Sequence, residues 1–387
     1  MERLVGCIER DGTTDEDLAY LTTVLADSGE TIQTIIDGTA ADLASTGGPS
    51  SLSTLLCPLY LRSLGYIVPA LAVPGRPAGG VDVLAQIPGY KVDLEKEEVE
   101  AVLRKCGYSH IVASRSFAPL DALLFSYRRK RGKVNIAELA IASLLAKKKA
   151  AGASLVGLDV RVGSHGNFGA TLSQASSNAA RFCRIASLLG CKAVCFLTDA
   201  TRPYQPFIGR GEALLAMWRA VVGPIEGALR KHDDACYAMA SRLAFHKTNA
   251  QPNRPSAAEV RIALRSNVEA QGASLDGLEH RVELIAGGHR PEAVAAEAGF
   301  LHVDLNAIRA IIIERQAAAT SPNQLFADPC GIVLRSDHGD YVRKGDLMAT
   351  LRCAERDIDA FRREIMTALT LKPSPIPDLA FVEVNGG

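Results

Sequence analysis

The stretch LVGLDVRVGSHGNFG, residues 155–169, decides the predicted fold. Its first six residues form an apolar run typical of a buried strand, and three glycines follow directly. A helical pattern over residues 173–189 and an apolar run over residues 193–197 come next. Strand, helix and strand in this order predict a parallel α/β sheet. Because ligands lie at the carboxyl ends of parallel strands, the glycine-rich turn is a candidate wall of a binding site, and a purely structural turn is the alternative.

The same alternation continues toward the N-terminus. A charged helix is predicted over residues 94–106, between apolar strands at residues 67–73 and 110–113. Between residues 121 and 150 the alternation stops and two helical stretches follow each other, which indicates an inserted helical element. Residues 331–351 contain short apolar runs separated by tight glycine turns, and this pattern predicts a β-rich lobe.

These patterns predict an α/β protein in three parts. The parts are a small helical domain, a larger α/β domain with a mainly parallel central sheet, and a C-terminal β-rich α+β lobe. The helical domain includes a predicted helix from about Thr14 to Ile36. The predicted boundaries are residues 1–37 and 116–150 for the helical domain, 38–115 and 151–250 for the α/β domain, and 251–387 for the lobe.

Length and composition exclude several classes of protein. A chain of 387 residues exceeds the usual size of one compact core, and its 48% hydrophobic and 22% charged residues are typical of a globular protein. The formal net charge of +0 argues against nucleic acid as the main partner and favours a small molecule. Because we find no signal peptide and no apolar run of about 20 residues, we expect a cytoplasmic protein without a membrane partner.

The nine cysteines are an odd number and lie in apolar segments. Buried reduced thiols explain this distribution better than a disulfide framework does. Cys191 and Cys195 form the closest pair, but no second pair of Cys or His follows at the spacing of zinc ligands. We therefore predict no metal site.

Two groups of residues have a spacing that suits chemistry. Ser143 and Lys147 are four apart in a predicted helix over residues 136–149, so both lie on one face. A lysine that extends from an apolar surface to solvent fits the same spacing. The small residues of the stretch STGG (45–48) precede a predicted helix, and exposed N–H groups there suit an oxyanion or a phosphate. A tight turn with a serine N-cap is the alternative.

Several short motifs follow one another in one order along the chain. They are ADSG (26–29), STGG (45–48), GYI (65–67), IPGY (87–90), SFAPLD (116–121), ASLLAKK (142–148), DVRVGS (159–164) and LTD (197–199). Together these motifs resemble those of the thymidine and pyrimidine-nucleoside phosphorylases. The similarity runs from about residue 25 to residue 215, and the glycine-turn lobe near residues 331–351 resembles the family's C-terminal domain.

The resemblance implies a pentosyltransferase that closes over a pyrimidine nucleoside, with the base in the helical domain and phosphate in the α/β domain. It implies that Arg128, Ser143 and Lys147 contact the pyrimidine. Arg128 and Lys147 would then stabilise the negative charge that builds on the base as the glycosidic bond breaks. Asp121 matches a carboxylate near the hinge, with a helix N-cap as its alternative role. We expect a homodimer, no cofactor, and phosphate as a possible co-substrate.

The chain departs from the family in the phosphate site. The family's loop begins Lys-His-Ser-Thr-Gly-Gly, where the lysine binds phosphate and the histidine lies near the base, and Leu43 and Ala44 occupy these two places here. Thr54 takes the place of a phosphate-binding serine, and Val81 falls near the place of a threonine. Arg76 is a candidate cation, although the family also has an arginine there. The expected phosphate ligands are Ser45, Thr46, Gly47, Gly48, Thr54 and Arg76.

Two further residues are singled out by comparison with the family's pattern. His165 lies in the glycine-rich turn where the family has a small residue, and we predict that it faces the cleft and replaces the acid lost at Ala44. Glu212 does not align cleanly with a family glutamate associated with a bound cation. The other histidines, including His110 in a predicted strand, are expected to be solvated or to lie in the core.

Three functions remain open at this stage. The first is a pyrimidine-ribosyl transferring enzyme that uses phosphate as the acceptor. The second is a nucleosidase that uses water, or an enzyme for an unusual nucleoside or nucleotide, because Leu43 weakens the phosphate site and leaves the base site intact. The third is a pseudoenzyme that binds a pyrimidine compound without turnover.

Overall fold

A computed structural model gives the fold for residues 1–32, 38–113, 116–164, 166, 168–319 and 325–375. Among these residues the helices are α1 (Glu2–Asp11), α2 (Asp15–Ala26), α3 (Ser53–Ser63), α4 (Gly80–Leu84), α5 (Lys96–Cys106), α6 (Pro119–Lys130), α7 (Ala137–Ala150), α8 (Leu172–Leu188), α9 (Arg210–Val222), α10 (Gly227–Thr248), α11 (Ala257–Ala270), α12 (Leu275–Gly287), α13 (Leu305–Ala318) and α14 (Ile358–Ala368). The strands are β1 (Ala41–Ser45), β2 (Val68–Ala72), β3 (Tyr108–Val112), β4 (Leu155–Val162), β5 (Lys192–Asp199), β6 (Phe207–Ile208), β7 (Glu292–Val294), β8 (Gly299–Val303), β9 (Gly331–Leu334), β10 (Tyr341–Val342), β11 (Leu347–Arg352) and β12 (Leu369–Lys372).

The central sheet is parallel throughout. Strands β1, β4 and β5 pair in the order β1-β4-β5, and β2 pairs with β3. A parallel bridge between Ala40 and Ile67 connects the two groups, so the strands follow one another as β3-β2-β1-β4-β5. All eight residues of β4 are buried, as expected for a parallel strand that helices cover on both faces. The predicted α/β class and its parallel sheet are confirmed.

The predicted N-terminal helix agrees with the structure at its start and differs at its end. Helix α2 begins after Thr14, whose side chain accepts a hydrogen bond from the Asp17 N–H, and it ends at Ala26 rather than near residue 36. The chain turns there because Ser28 Oγ donates to the Leu25 carbonyl at 2.7 Å. Residues 33–37 lie outside the described part of the chain. Helix α1, which was not predicted, precedes α2, and α2 packs on α7.

The C-terminal lobe contains two antiparallel sheets, ordered β6-β9-β11-β7 and β10-β8-β12, with α13 and α14 beside them. It has its own hydrophobic core, which consists of Ile208 of β6 and of buried side chains from Ala293 onward. The predicted β-rich lobe is therefore confirmed. Helices α11 and α12 belong to the segment 251–387 but pack into the larger core of the α/β part. The domain boundaries themselves stay a prediction.

Buried charges connect the two cores. Glu212, at the start of α9, is fully buried and accepts hydrogen bonds from Arg352 of β11 at 2.7 and 2.8 Å. Arg352 also donates to Asp328 Oδ1 at 2.8 Å. Arg290 lies 3.5 Å from the same Glu212 carboxylate. Guanidinium groups therefore surround Glu212, and its contacts are those of a structural ion pair.

All nine cysteines are free thiols, and Cys7 is exposed. Within the described ranges no helix combines the length and the apolar character that crossing a bilayer requires.

We expect Arg352→Met to lower the free energy of unfolding by about 3 kcal/mol or more, because it leaves two buried carboxylates without their main cation. The matched control is Arg356→Met, which removes the same charge from a side chain that is 88% exposed and is expected to change stability by less than about 0.5 kcal/mol. Urea unfolding followed by circular dichroism measures both variants. A loss below about 1 kcal/mol for Arg352→Met would contradict this description of the contact.

Candidate active site

A cleft opens at the carboxyl ends of β1 and β2, the edge of a parallel sheet at which ligands bind. Its empty space is about 1350 Å³, including the open mouth. The loop after β1, the loop after β2, helices α6 and α7, and one side chain of α13 line it. The cleft brings together nine of the residues predicted for base and phosphate. They are Ser45, Thr46, Gly47, Gly48, Thr54, Arg76, Arg128, Ser143 and Lys147.

The glycine-rich loop leaves β1 and leads into the N-terminus of α3. Ser45 Oγ accepts a hydrogen bond from the Gly47 N–H at 3.2 Å, and Thr46 Oγ1 accepts one from the Arg161 N–H at 2.9 Å. Both hydroxyl protons remain available to a ligand. Gly47 has a φ of 90°, a conformation that side chains disfavour. Thr54 lies in the first turn of α3, where the helix dipole favours an anion.

Lys147 is buried on the cleft side of α7. Its ammonium group donates to Asp121 Oδ2 at 2.6 Å, to Ser143 Oγ at 2.8 Å and to the Ser143 carbonyl, which uses all three of its N–H groups. Burial lowers the pKa of Lys147, and the neighbouring Asp121 carboxylate opposes that shift. Ser143 Oγ accepts from Lys147, so its own proton remains available to a ligand. Asp121 lies behind Lys147 and does not line the cleft.

Arg128 of α6 holds the turn that leads into α7. Its guanidinium group donates to four backbone carbonyls, those of Lys133 (3.2 Å), Val134 (2.7 Å), Ile136 (3.4 Å) and Leu139 (3.0 Å). A guanidinium group has five N–H groups, so one remains for a ligand. Burial lowers the pKa of Arg128 to about 10, and the Asp121 carboxylate opposes this effect. Arg128 therefore builds part of the cleft wall.

The cleft is also lined by Asp42, Lys148 and His110, which the sequence analysis did not predict as site residues. Lys148 forms a buried ion pair with Asp42 of β1, and burial raises the pKa of Asp42 although Lys148 opposes the shift. His110 lies in a strand, β3, as expected, but it also borders the cleft. Its Nδ1 is hydrogen-bonded to Tyr108 Oη at 2.9 Å, and burial lowers its pKa to about 3, so the ring is neutral. Lys148 belongs to the stretch ASLLAKK, but nothing in the sequence pattern indicated that it would pair with Asp42 or that His110 would reach the cleft.

Two arginines in the cleft have no hydrogen-bond or ion-pair partner among the described residues. Arg76 extends from the loop after β2, and Arg309 extends from α13 of the C-terminal lobe. The Nε atom of Arg309 is buried without an acceptor. Burial lowers the pKa of both, and a neighbouring like charge lowers it further, Arg129 for Arg76 and Arg76 for Arg309.

Leu43 occupies the place of the phosphate-binding lysine with an apolar side chain that is 2% exposed. It packs closely over Gly157 of β4, where an added Cβ atom would lie 2.8 Å from Leu43 Cγ. This face of β1 is therefore filled by apolar packing. Leu43 therefore brings no positive charge to the cleft.

The turn after β4 does not form the expected wall. Its described residues are absent from the cleft lining. Arg161 lies beneath the glycine-rich loop instead, where it pairs with Asp159 and stacks on the ring of Tyr204 at 4.1 Å. His165 lies outside the described residues, so its predicted role stays a prediction. Within the described ranges no group of three or more His, Cys, Asp and Glu side chains is arranged to hold a metal.

Comparisons with known proteins agree with the motifs. No protein-family model matches the chain. The chain is 24% identical to the pyrimidine-nucleoside phosphorylase of Geobacillus stearothermophilus, with 100% of this chain and 92% of that protein aligned. It is 26% identical to the pyrimidine-nucleoside phosphorylase of Bacillus subtilis, over 89% of this chain and 82% of that protein.

A solved structure shares the fold. The anthranilate phosphoribosyltransferase of Thermus thermophilus superposes with a TM-score of 0.52 at 16% identity, covering 73% of this chain and 88% of that chain. The relatives similar in sequence are named as enzymes, in agreement with the prediction of an enzyme. The resemblance predicted from the motifs is confirmed: over most of its length the chain is similar to proteins named pyrimidine-nucleoside phosphorylase, at 24 to 26% identity.

Proposed function

We propose that the protein cleaves the N-glycosidic bond of a pyrimidine nucleoside and transfers the pentose to phosphate. One observation carries the proposal: the paired Ser143 and Lys147 line the same cleft as the glycine-rich loop and the N-terminus of α3. A base on the α7 side and an anion on the loop side would then hold the sugar between them. The names and near-complete coverage of the relatives support this substrate class.

In this proposal Ser143 and Lys147 act together on the base. Lys147 donates to Ser143 Oγ, so its positive charge makes the Ser143 O–H a stronger donor to a base oxygen. When the glycosidic bond breaks, its electron pair passes to the base, and negative charge builds on the base oxygens. Because Ser143 and Lys147 are buried, a fixed cation there stabilises this charge more strongly than water would.

Asp121 and Arg128 complete the base side. Asp121 holds the Lys147 ammonium group at 2.6 Å and thereby positions it, as a positioning residue that does not line the cleft. Arg128 keeps the turn before α7 in place through its four carbonyl contacts and offers its remaining N–H to the base. The resemblance implied that Arg128 acts mainly on the base, whereas in this proposal most of its guanidinium group supports the turn and only one N–H contacts the base.

The phosphate side of the proposal consists of the Ser45 and Thr46 hydroxyls, the Gly48 amide, Thr54 and Arg76. Hydrogen phosphate bound there attacks the anomeric carbon as the bond to the base breaks. The products are a pentose 1-phosphate and the neutral base, which receives the proton of hydrogen phosphate. Phosphate enters as a co-substrate, and the proposal invokes no cofactor.

Leu43 favours a second candidate, a nucleosidase in which water replaces phosphate. The residues that act on the leaving base are the same in both reactions, and only the acceptor differs. The third candidate, binding of a pyrimidine compound without turnover, is supported by the same loss of the lysine and of the histidine at Ala44.

We expect uridine, thymidine or deoxyuridine to be consumed only when phosphate is present, with equal amounts of base and pentose 1-phosphate formed. Chromatography of the products with and without phosphate measures this. Free pentose formed equally well without phosphate would establish the nucleosidase instead. Calorimetric binding of a nucleoside with no product under either condition would establish the non-catalytic protein.

We expect Lys147→Ala to reduce the turnover number at least about 100-fold, because the transition state loses its charge stabilisation. Lys149→Ala, on the same helix but half-exposed and 3.5 Å from Asp27, is the matched control and should leave turnover unchanged. Since Lys147→Ala leaves a buried carboxylate unpaired, the double variant Asp121→Asn with Lys147→Ala is measured beside it. A folded double variant that retains more than a tenth of the activity would refute the role of Lys147.

A further inference from the structure

The charged side chains of the cleft are unevenly balanced. Asp42 is the one carboxylate that lines the cleft among the described residues, and Lys148 neutralises it. Lys147 is neutralised by Asp121, and the backbone engages most of the Arg128 guanidinium group. Within the described part of the chain Arg128 has no carboxylate partner, but backbone carbonyls accept four of its N–H groups. Arg76 and Arg309 have neither a counter-charge nor a hydrogen-bond partner among the described residues. A chain with a formal net charge of +0 has therefore concentrated unpaired cations in one cleft.

Helix α13 is fixed so that Arg309 lies over the cleft. Near its start the Asn306 side chain donates to Ser164 Oγ at 2.6 Å, and near its end the Gln316 side chain donates to the Pro77 carbonyl at 2.9 Å. Residues 306, 309 and 316 share one face because they are three and seven positions apart. Arg309 lies between the two anchors on the face that contacts the α/β part.

The loop that carries Arg76 is fixed from two sides. The Asp82 carboxylate accepts hydrogen bonds from the Gly75 N–H at 2.8 Å and the Gly79 N–H at 3.0 Å, and Arg210 pairs with its other oxygen at 2.8 Å. The Pro77 carbonyl binds Gln316 of α13, as described above. The hydrogen bond between Gln316 and the Pro77 carbonyl therefore holds the loop and α13 together. Holding two unpaired guanidinium groups close together is unfavourable unless an anion binds between them.

We propose that Arg76 and Arg309 together bind a phosphate dianion, so that the C-terminal lobe supplies a cation to the cleft where Leu43 has replaced one. Two guanidinium groups match the charge of the dianion and its preference for paired donors. Because Gln316 ties α13 to the Arg76 loop, the C-terminal lobe takes part in the site rather than only covering it.

The phosphate dianion has two possible sources. Both follow from the proposed function, on which this inference rests. One is inorganic phosphate, the acceptor of the pentose. The other is the 5′-phosphate of the substrate, which would then be a pyrimidine nucleoside monophosphate. Both sources place the same chemical group between the same two side chains.

Calorimetric titration in phosphate-free buffer tests the site with three ligands: inorganic phosphate, uridine and uridine 5′-monophosphate. The variants are Arg309→Met and Arg76→Met, each checked for folding by circular dichroism and thermal unfolding. Arg76 is half-exposed on a loop, so its variant keeps the test valid if Arg309→Met is unstable. Arg363→Met removes an exposed arginine from α14 of the same lobe and is the matched control.

Both site variants are expected to weaken binding of the phosphate-bearing ligand about tenfold or more and to leave uridine binding unchanged, whereas the control changes neither. If wild-type protein binds inorganic phosphate and does not prefer the monophosphate to uridine, the dianion is the acceptor. If it binds the monophosphate at least about tenfold more tightly than uridine, the dianion belongs to the substrate.

Two outcomes would overturn the proposal. One is a wild-type protein that neither binds inorganic phosphate nor prefers the monophosphate. The other is binding of these ligands that is unchanged in both site variants. Failure of uridine to bind while the arginine-dependent phosphate binding persists would refute the proposed base site and leave the anion site intact.

Discussion

The buried ion pair between Lys147 and Asp121 is the contact on which the candidate site depends. Two charges removed from water are tolerated only when they pair closely and their remaining donors are used. The three contacts of Lys147 meet this condition, and they fix α7 relative to α6. The ammonium group also donates to Ser143 Oγ, which leaves the Ser143 O–H as a donor at the surface of the cleft. The ion pair that permits burial of Lys147 therefore also orients Ser143.

The rest of the cleft follows from the parallel sheet. Strands β1 and β2 end at the same edge, so their following loops face α7 across one space. The loops are held by groups outside the cleft: Arg161 supports Thr46, and Asp82 supports the Arg76 loop. Polar contacts beneath the surface thus leave hydroxyls and guanidinium groups of the cleft available to a ligand.

Much of the fold could be predicted from the sequence because the elements are separated by clear signals. Helix α5 ends at Cys106, and strands β2 and β4 lie within one or two residues of the predicted runs. Strand β1 was missed because Asp42 interrupts its apolar pattern, and only the tertiary pairing with Lys148 explains a carboxylate there. Helix α2 ends early because a side chain, Ser28, caps its last turn, which periodicity does not record.

The candidate site was predictable where local motifs define it and not where distant segments meet. The stretches STGG and ASLLAKK indicated the two sides of the cleft. Arg309 had no motif, since its place depends on how the C-terminal lobe packs through Gln316. The four backbone hydrogen bonds of Arg128 also had no signal in the sequence, because they involve the backbone of a turn rather than a residue pattern.

The most direct test of a shared cleft is a crystal structure of the protein grown with uracil and inorganic phosphate. We predict that uracil lies with an oxygen about 3 Å from Ser143 Oγ, and that phosphate lies between the glycine-rich loop and Arg76. Uracil bound outside this cleft, with Ser143 and Lys147 facing only protein, would contradict the account.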